Sequence, residues 1–318
     1  MLALIAVAVT APAADRPKAE TYLTPETAGP DFLIQGEFTG KKDQGPDKTL
    51  GAQVIALGKG AFRAVLLPGG LPGSGWDAKT LIELEGKTYG DKSVFASADG
   101  SATIAGTTLA GEHASLGKFV LQKVTRKSAT LGAKPPPGAI VLFDGSSADE
   151  FVNGHVDERK LLESGPRSKR QFTNFTLHVE FLLPFKPAGR GQDRGNSGVY
   201  LQDRYEIQVL DSFGLKGLNN ECGAIYGQTA PSLNLCYPPL QWQTYDADFE
   251  AAKFDPDGKK IKNAVVTLRH NGVVALDHVE ISGPTGGGKP ESPAGGAIQL
   301  QGHGNPVFYR NIWIVPNE

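Results

Sequence analysis

The sequence predicts an all-β protein in which helices are incidental. Its 318 residues include 40 glycines and 22 prolines, a composition that predicts many turns. Short runs of alternating apolar and polar residues recur along the chain, as in residues 175–182, and long stretches with helical periodicity are scarce. With 40% hydrophobic and 21% charged residues, the chain is expected to bury a sizeable core in one large or two unequal domains.

Residues 1–21 are predicted to be a signal peptide and a short tail. The apolar run MLALIAVAV precedes small residues around Ala11, Pro12 and Ala13, as at a cleavage site, although the usual basic start is missing. The run is too short to span a bilayer, and an ordinary strand is the alternative interpretation. We therefore expect an exported protein, periplasmic or extracellular, with no membrane span.

Two β-rich domains and a stiff connector are predicted after this segment. Residues 22–126 hold short β-like runs broken by glycine or proline and form a small β-rich domain of unknown role. Residues 127–139 include three consecutive prolines, which favour a linker over a strand. Residues 140–318 contain longer strand patterns and form the second domain.

The charge balance indicates a neutral ligand. The formal net charge is -2, and no basic stripe runs along the sequence. Nucleic acid is therefore not an expected partner.

Residues 195–214, GNSGVYLQDRYEIQVLDSFG, predict a β-hairpin with one apolar and one polar face. The predicted register pairs Leu201 with Ile207, Tyr200 with Gln208, and Gln202 with Glu206. The loop is then the three residues 203–205. A two-residue turn would instead set Glu206 opposite Leu201 and put a carboxylate into the apolar row.

Polar faces of several strands predict a sugar-binding groove. In residues 175–182 the odd positions are apolar, whereas the even positions carry Thr176, His178 and Glu180. Across the strands, the amide, carboxylate, imidazole and phenol groups belong to His178, Glu180, Tyr200, Gln202, Glu206, Gln208, Gln299, Gln301 and His303. Such groups bind sugar hydroxyls and stack on sugar rings. The alternative is a sheet face that simply meets water.

Cys222 and Cys236 are the two cysteines of the chain. Export would permit them to form a disulfide, and two buried free thiols are the alternative, because spacing alone does not fix their separation.

Several motifs together resemble the 3-keto-disaccharide hydrolase domain family. They are LFDG (142–145), FTLHVEF (175–181), GNSGVYLQDRYEIQVLDS (195–212), WQTYD (242–246), HNGV (270–273) and IQLQGHGNPVFYRNIWI (298–314). The resemblance covers about 138–316 and implies a concanavalin A-like jelly-roll sandwich of two antiparallel sheets with a ligand groove. The chain departs from the family at Phe151, where relatives tend to carry a Gly-Trp pair.

The resemblance implies cleavage of a glycoside that is already oxidised at C3. A base removes the C2 proton, the C1 substituent leaves, and water adds afterwards. Glu206 and His303 are the leading acid/base candidates, followed by Glu180. The expected substrate-binding residues are Asn196, Tyr200, Gln202, Gln208, His178, Gln299, Gln301 and Arg310. A divalent ion could polarise the ketone, but no compact His and carboxylate spacing requires one, so no metal or other cofactor is assigned.

Two other functions fit the same residues. A conventional glycosidase needs two carboxyls about 5–9.5 Å apart. Glu206 and Asp211 lie about 16 Å apart along one strand and point to opposite faces, so only Glu206 with Glu180 remains for that chemistry. A carbohydrate-binding module without catalysis is the other alternative.

Overall fold

The protein is described here by a computed structural model that covers residues 20–317. The predicted signal sequence and cleavage site lie outside the described residues. Within residues 20–317, no helix is long and apolar enough to cross a membrane.

The first unit is an eight-stranded antiparallel sheet that closes on itself, preceded by the short helix α1 (Gly29–Ile34). Its strands are β1 (Gly36–Lys42), β2 (Thr49–Gly58), β3 (Ala61–Pro68), β4 (Ile82–Tyr89), β5 (Lys92–Ala96), β6 (Gly100–Ala105), β7 (Thr108–His113) and β8 (Gly117–Val124). Consecutive strands pair, and β8 returns to pair with β1. Closure leaves no unpaired sheet edge.

Alternation along each strand fills the inside of this barrel. In β8, Phe119 and Leu121 are buried, whereas Lys118, Val120 and Gln122 are exposed. The inward side chains form one apolar cluster that includes Phe38, Phe62 and Phe95. The barrel is therefore filled mainly by the side chains of its own strands.

The second unit is the sandwich, whose first strands run up to the central hairpin. They are β9 (Ile140–Phe143), β10 (Phe151–Val152), β11 (Leu162–Glu163), β12 (Arg167–Ser168), β13 (Asn174–Leu182), β14 (Asn196–Leu201) and β15 (Tyr205–Leu210), with a 3₁₀ turn at Gly191–Asp193. The remaining strands are β16 (Trp242–Glu250), β17 (Lys253–Phe254), β18 (Lys260–Lys262), β19 (Ala264–His270), β20 (Val273–Ile281), β21 (Gln299–Leu300) and β22 (Phe308–Asn317).

Two sheets form the jelly-roll sandwich, which confirms the predicted fold class. One sheet has five strands in the order β10-β12-β21-β14-β15. The other has seven, ordered β11-β22-β13-β16-β19-β20 with β9 also paired to β22. Phe175, Val179 and Phe181 of the larger sheet share one apolar core with Val199 and Ile207 of the smaller sheet. The apolar row predicted for residues 175–182 is confirmed.

The β14–β15 hairpin has a different register from the predicted one. Tyr200 pairs with Glu206, and Leu201 pairs with Tyr205. The loop has three residues, as predicted, but they are 202–204, and Gln202 and Asp203 both have positive φ, 56° and 59°. This register buries the Tyr205 ring against Phe249, with ring centroids 5.7 Å apart. Burial of a large aromatic side chain therefore outweighs the strain of the turn.

The predicted linker lies on the outer face of the seven-stranded sheet. Ser128 Oγ is 2.6 Å from Thr244 Oγ1, and the Ala133 carbonyl accepts hydrogen bonds from Asn311 and Trp313. The Gly132 amide donates to Glu180 Oε1. Residues 128–133 thus cover the polar side chains of β13.

Glu180 is the centre of this covered cluster. Its carboxylate accepts from Arg310 Nε at 2.7 Å and from Asn311 Nδ2 at 2.9 Å. Burial disfavours the ionised form, but the nearby His178 imidazole together with the hydrogen bonds from Asn311, Arg310 and Gly132 outweighs it and lowers the pKa of Glu180 to about 2. His178 in turn is 2.6 Å from Asp246 and stacks on the Trp313 ring.

The barrel and the sandwich are joined by packed side chains as well as by the linker. Phe185, which follows β13, is buried in the barrel cluster with its ring centroid 5.4 Å from that of Phe32. Tyr22 and Phe185 exchange two backbone hydrogen bonds of 2.9 Å. Phe213, which follows β15, packs against Ile55 of β2.

Both cysteines are buried free thiols, so the disulfide that export would permit is not formed in the structure. Cys222 Sγ lies 3.0 Å from the Tyr245 hydroxyl, and Cys236 Sγ lies 3.5 Å from the Leu210 carbonyl. Both thiols belong to the core that the two sheets share.

Replacing Glu180 with Gln should destabilise the fold in a pH-dependent way. The folded pKa of Glu180, about 2, is below its ordinary 4.5. The carboxylate therefore stabilises the protein above pH 4.5, and this contribution is lost as the pH falls towards 2. We expect Glu180→Gln to lower the free energy of unfolding at pH 7 by about 2 kcal/mol, since the partner Arg310 is partly solvent-exposed.

Urea unfolding at pH 7 and at pH 3 measures this effect. Glu280→Gln, which changes an exposed carboxyl on β20, is the matched control and should stay within about 0.5 kcal/mol of the wild type. Equal losses in the two variants at pH 7 would contradict the role given to Glu180.

Candidate functional site

A polar pocket of about 110 Å³ lies on the outer face of the five-stranded sheet. It is lined by Gln192, Asn196, Glu206, Gln208, Tyr226, Gly286, Gln301 and His303. Burial of Val199 and Ile207 in the core turns their even-numbered neighbours outward, which places Glu206 and Gln208 in this pocket. We call it the Glu206 pocket.

Glu206 is a buried carboxyl without a cationic partner. It is 2% exposed, and within residues 20–317 its carboxyl has one hydrogen bond and no ion pair: the Tyr200 hydroxyl lies 2.9 Å from Oε2. Burial raises the pKa of Glu206 to about 7, although the hydrogen bond to Tyr200 opposes the shift. The group can therefore both take up and release a proton near neutral pH.

The Tyr200 hydroxyl links Glu206 to the rest of the pocket. It lies within hydrogen-bond distance of the Gly286 carbonyl and of Glu206 Oε2, and Gln301 Nε2 donates to it at 3.3 Å. A phenol has one proton to donate, so it cannot serve both acceptors. When Glu206 is protonated, it donates to Tyr200 while Tyr200 donates to Gly286, and the Tyr200 hydroxyl and both of its acceptors are satisfied.

Gln192 fixes the amides on the opposite wall. Its Oε1 accepts from Gln208 Nε2 at 2.9 Å and from Asn196 Nδ2 at 3.1 Å. Its Nε2 donates to the Asn220 carbonyl at 2.8 Å. These hydrogen bonds engage the amide nitrogens of Asn196, Gln208 and Gln192 and thereby fix the orientation of each side-chain amide.

Two buried acceptors are left without a protein partner. Gln208 Oε1 and Gln301 Oε1 are buried and form no hydrogen bond within the described residues. An unpaired buried acceptor costs about 1–3 kcal/mol, which a ligand hydroxyl would recover. The pocket therefore offers acceptors to a polyhydroxylated ligand.

Gly198 makes room for the Glu206 side chain. A Cβ atom at this position would lie 2.2 Å from Glu206 Oε1. Gly198 and Tyr200 are two residues apart on β14 and therefore lie on the same face of the sheet. The Glu206 side chain occupies the space on this face that a larger residue at position 198 would fill.

The loop of residues 283–296 packs against the hairpin and forms one pocket wall. Thr285 Oγ1 accepts from the Glu206 amide at 2.9 Å. Lys289 forms an ion pair with Asp203, and Arg204 donates to the Pro290 carbonyl. These contacts bring Gly286 to the Tyr200 hydroxyl.

The structure brings together about half of the predicted groove. Asn196, Glu206, Gln208, Gln301 and His303 line the pocket, and Tyr200 contacts Glu206 directly. His303 is exposed at the rim.

The other predicted groove residues lie elsewhere, so the expectation of one shared groove is wrong. His178, Glu180 and Arg310 belong to the seven-stranded sheet, whose outer face the linker covers. Strand alternation identifies the outward face of a strand but not the sheet to which it belongs.

Gln202 and Gln299 are displaced by local contacts. The Gln202 side chain donates to the Phe172 carbonyl from the hairpin loop, because the register places it beyond the strand. Gln299 accepts a hydrogen bond from Arg167 on the neighbouring strand.

Gln192, Tyr226 and Gly286 are the pocket residues that sequence reasoning missed. All three lie in turns or loops, where no period of two distinguishes inward from outward positions. For Gln192, the position four residues before Asn196 is the available signal, since a 3₁₀ turn brings the two amides together.

The residues described contain no group of three or more His, Cys, Asp or Glu side chains arranged to hold a metal ion. The donors in the Glu206 pocket are mainly amides, with one carboxyl and one imidazole.

The protein is thus a β-sandwich with a polar pocket, a buried carboxyl among amides, on the outer face of one sheet. Residues 138–315 match the family described as the 3-keto-alpha-glucoside-1,2-lyase-like domain. This is more than half of the chain, and the chain belongs to that family. The barrel lies outside the matched region.

Solved structures from Parabacteroides distasonis resemble the same region. One crystal structure, described as a "putative glycosyl hydrolase", is 33% identical, with 57% of this chain and 85% of that chain covered and a TM-score of 0.52. Two more with this description are 18% and 23% identical, cover 57% and 56% of this chain and 94% and 99% of theirs, and have TM-scores of 0.40 and 0.39. No curated protein matches the sequence.

Glu206 should make the protein less stable as the pH rises. Its folded pKa, about 7, is above its ordinary 4.5, so the folded state holds a proton that the unfolded state has already lost between these values. Stability therefore falls as the pH rises from about 4.5 through 7, by roughly 3 kcal/mol in all.

Urea unfolding of wild type and Glu206→Gln at pH 5 and pH 8 tests this. Gln keeps the neutral form, so the variant should gain stability relative to the wild type at pH 8. Glu280→Gln should retain the wild-type slope. If wild type and Glu206→Gln lose the same free energy between the two pH values, the raised pKa is wrong.

Proposed function

We propose that this protein cleaves 3-keto-glycosides by proton abstraction at C2 and elimination at C1, with Glu206 as the acid/base group. The observation that supports this most strongly is the pocket's single buried carboxyl, whose pKa is raised to about 7. Membership in the 3-keto-alpha-glucoside-1,2-lyase-like family supports the same reaction class.

The lining of the pocket favours elimination over direct hydrolysis by two carboxyls. A conventional glycosidase uses a pair of carboxyls about 5–9.5 Å apart. Among the described lining residues Glu206 is the one carboxyl, and Glu180 lies on the other sheet. Elimination from a ketone needs one base, and the same group can afterwards return the proton.

The proposed reaction proceeds through an enolate. The C3 ketone acidifies the C2 hydrogen, and the ionised Glu206 carboxylate takes this proton while the electron pair moves towards the ketone oxygen. Return of that pair forms the C1–C2 double bond and breaks the bond from C1 to the leaving oxygen. The leaving oxygen takes up a proton, and water adds across the double bond in a later step.

Other pocket groups are suited to orient the sugar. Gln208 Oε1 and Gln301 Oε1 can accept from sugar hydroxyls, since both lack a protein donor. Tyr226 and His303 line the pocket, and neither ring group has a hydrogen bond to the part of the chain that the structure describes. We assign them to the enolate oxygen or the leaving group.

Release of nitrophenol from a p-nitrophenyl 3-keto-α-glucoside tests the proposed reaction. The expected result is turnover of this substrate, no turnover of the unoxidised p-nitrophenyl α-glucoside, and a slower rate when C2 carries deuterium. Turnover of the unoxidised glycoside without an isotope effect would indicate a conventional glycosidase. Sugar binding without turnover of either would indicate a binding module.

Glu206→Gln should abolish most of this activity. The amide cannot accept the C2 proton, so we expect kcat to fall at least 100-fold with a small change in KM. Glu180→Gln is the matched control, because it removes an equally buried carboxyl from the other sheet. Below its unfolding temperature, that variant should retain wild-type kcat. Loss of kcat in Glu180→Gln, or its retention in Glu206→Gln, would overturn the assignment.

Gly198→Ala should impair catalysis through the position of Glu206. The new methyl group would occupy the place of Glu206 Oε1 and push the carboxyl away from Tyr200. We expect kcat to fall about tenfold or more, with the folded structure retained by circular dichroism. Gly283→Ala, where an added Cβ meets open space, is the control and should match the wild type.

A further inference from the structure

We propose that the N-terminal barrel is part of the framework of the Glu206 pocket, and that Arg190 is a positioning residue that acts through Gln192. The route by which this affects turnover rests on the proposed function. The structural part, that the barrel orders the segment carrying Gln192, can be tested without it.

The segment 183–195 lies between the barrel and the pocket. At its start, the Phe185 ring is 1% exposed and buried among barrel residues. Further along, Gly58 at the end of β2 approaches Ala188 so closely that a Cβ on the glycine would lie 3.4 Å from the Ala188 amide. The barrel therefore contacts the first half of this segment.

Arg190 connects the barrel to the turn that carries Gln192. Its Nη2 donates to the Leu57 carbonyl of β2 at 2.8 Å, and its Nη1 is 2.7 Å from both the Pro187 and Gly189 carbonyls. One guanidinium thus binds carbonyls of the barrel and of its own segment. Arg190 directly precedes the 3₁₀ turn Gly191–Asp193.

Gln192 transmits this position to the site. It is the central residue of that turn, and its Oε1 accepts a hydrogen bond of 2.9 Å from Gln208 Nε2. This bond leaves Gln208 Oε1 as the buried acceptor without a partner. A shift of the turn would release the Gln208 amide and remove a fixed acceptor from the pocket.

The segment that follows β15 is also held against the barrel. Phe213 packs with Ile55, and a Cβ at Gly214 would lie 2.4 Å from Ile55 Cδ1. A buried ion pair of 2.6 Å between Arg194 and Asp211 joins the two segments that flank the hairpin. Both connections of β14–β15 are therefore fixed relative to the barrel.

Hydrogen exchange of the full-length protein tests the structural part. The amides of Gly189, Asp193 and Arg194 are hydrogen-bonded within the segment, so peptides covering 186–195 report on its order. We expect exchange there to become at least fivefold faster in Arg190→Ala and to be restored by Arg190→Lys. Arg269→Ala, which removes a partly exposed arginine from the other sheet, should leave it unchanged. Unchanged exchange in Arg190→Ala would overturn the proposal.

A double-mutant cycle tests the route through Gln192. On the 3-keto-glucoside, Arg190→Ala should lower kcat/KM about fivefold in the wild-type background and less than twofold in Gln192→Ala. Wild-type kcat/KM in Arg190→Ala, or full additivity in the cycle, overturns the route. If the wild type itself has no turnover, the proposed function fails, and the exchange experiment still decides whether the barrel orders the segment.

Discussion

The packing of the β14–β15 hairpin against the larger sheet is the constraint on which the rest of the site depends. Val199 and Ile207 bury apolar side chains in the shared core, and the pleat then leaves Tyr200, Glu206 and Gln208 on the opposite face. Loops on both sides close over that face and remove its polar groups from water. The packing of the core therefore determines which polar groups face the pocket, and the loops supply many of their hydrogen-bond partners.

Two buried glutamates show how surroundings decide the chemistry of one side chain. Glu180 has cationic and amide donors, so its pKa is lowered to about 2 and it stays ionised. The carboxyl of Glu206 has the Tyr200 phenol as its hydrogen-bond partner among the described residues, so burial dominates and raises the pKa of Glu206 to about 7. A permanent carboxylate suits a fixed ion pair, whereas a carboxyl that titrates near neutrality suits proton transfer.

The direction in which each side chain of a strand points can be predicted from the sequence, because it depends only on the local alternation of residues. The apolar row of residues 175–182 and the outward direction of Tyr200, Glu206 and Gln208 follow from alternation alone. The hairpin register does not, because the burial of Tyr205 depends on Phe249, which is distant in sequence. Nor does alternation show that Glu180 and Glu206 belong to different sheets.

The pocket residues in loops could not be predicted from strand alternation, because their positions also depend on contacts distant in sequence. Gln192 and Gly286 reach the pocket through ion pairs, backbone hydrogen bonds and contact with the barrel, none of which follows from a local pattern. The family resemblance predicted the family and the fold, whereas the geometry of the pocket required the three-dimensional contacts.

The Tyr200 hydroxyl makes the hydrogen bonding of one pocket wall depend on the charge of Glu206. With Glu206 neutral, the phenol proton is directed to the carbonyl of Gly286 and ties the 283–296 loop to the hairpin. Once Glu206 has lost its proton, the carboxylate attracts the same phenol proton, and Gly286 loses its donor. Ionisation of Glu206 therefore removes one of several contacts between the hairpin and this wall, while those of Thr285 and Lys289 remain. The charge of one carboxyl is thus linked to the hydrogen bonding of a loop about eighty residues further along the chain.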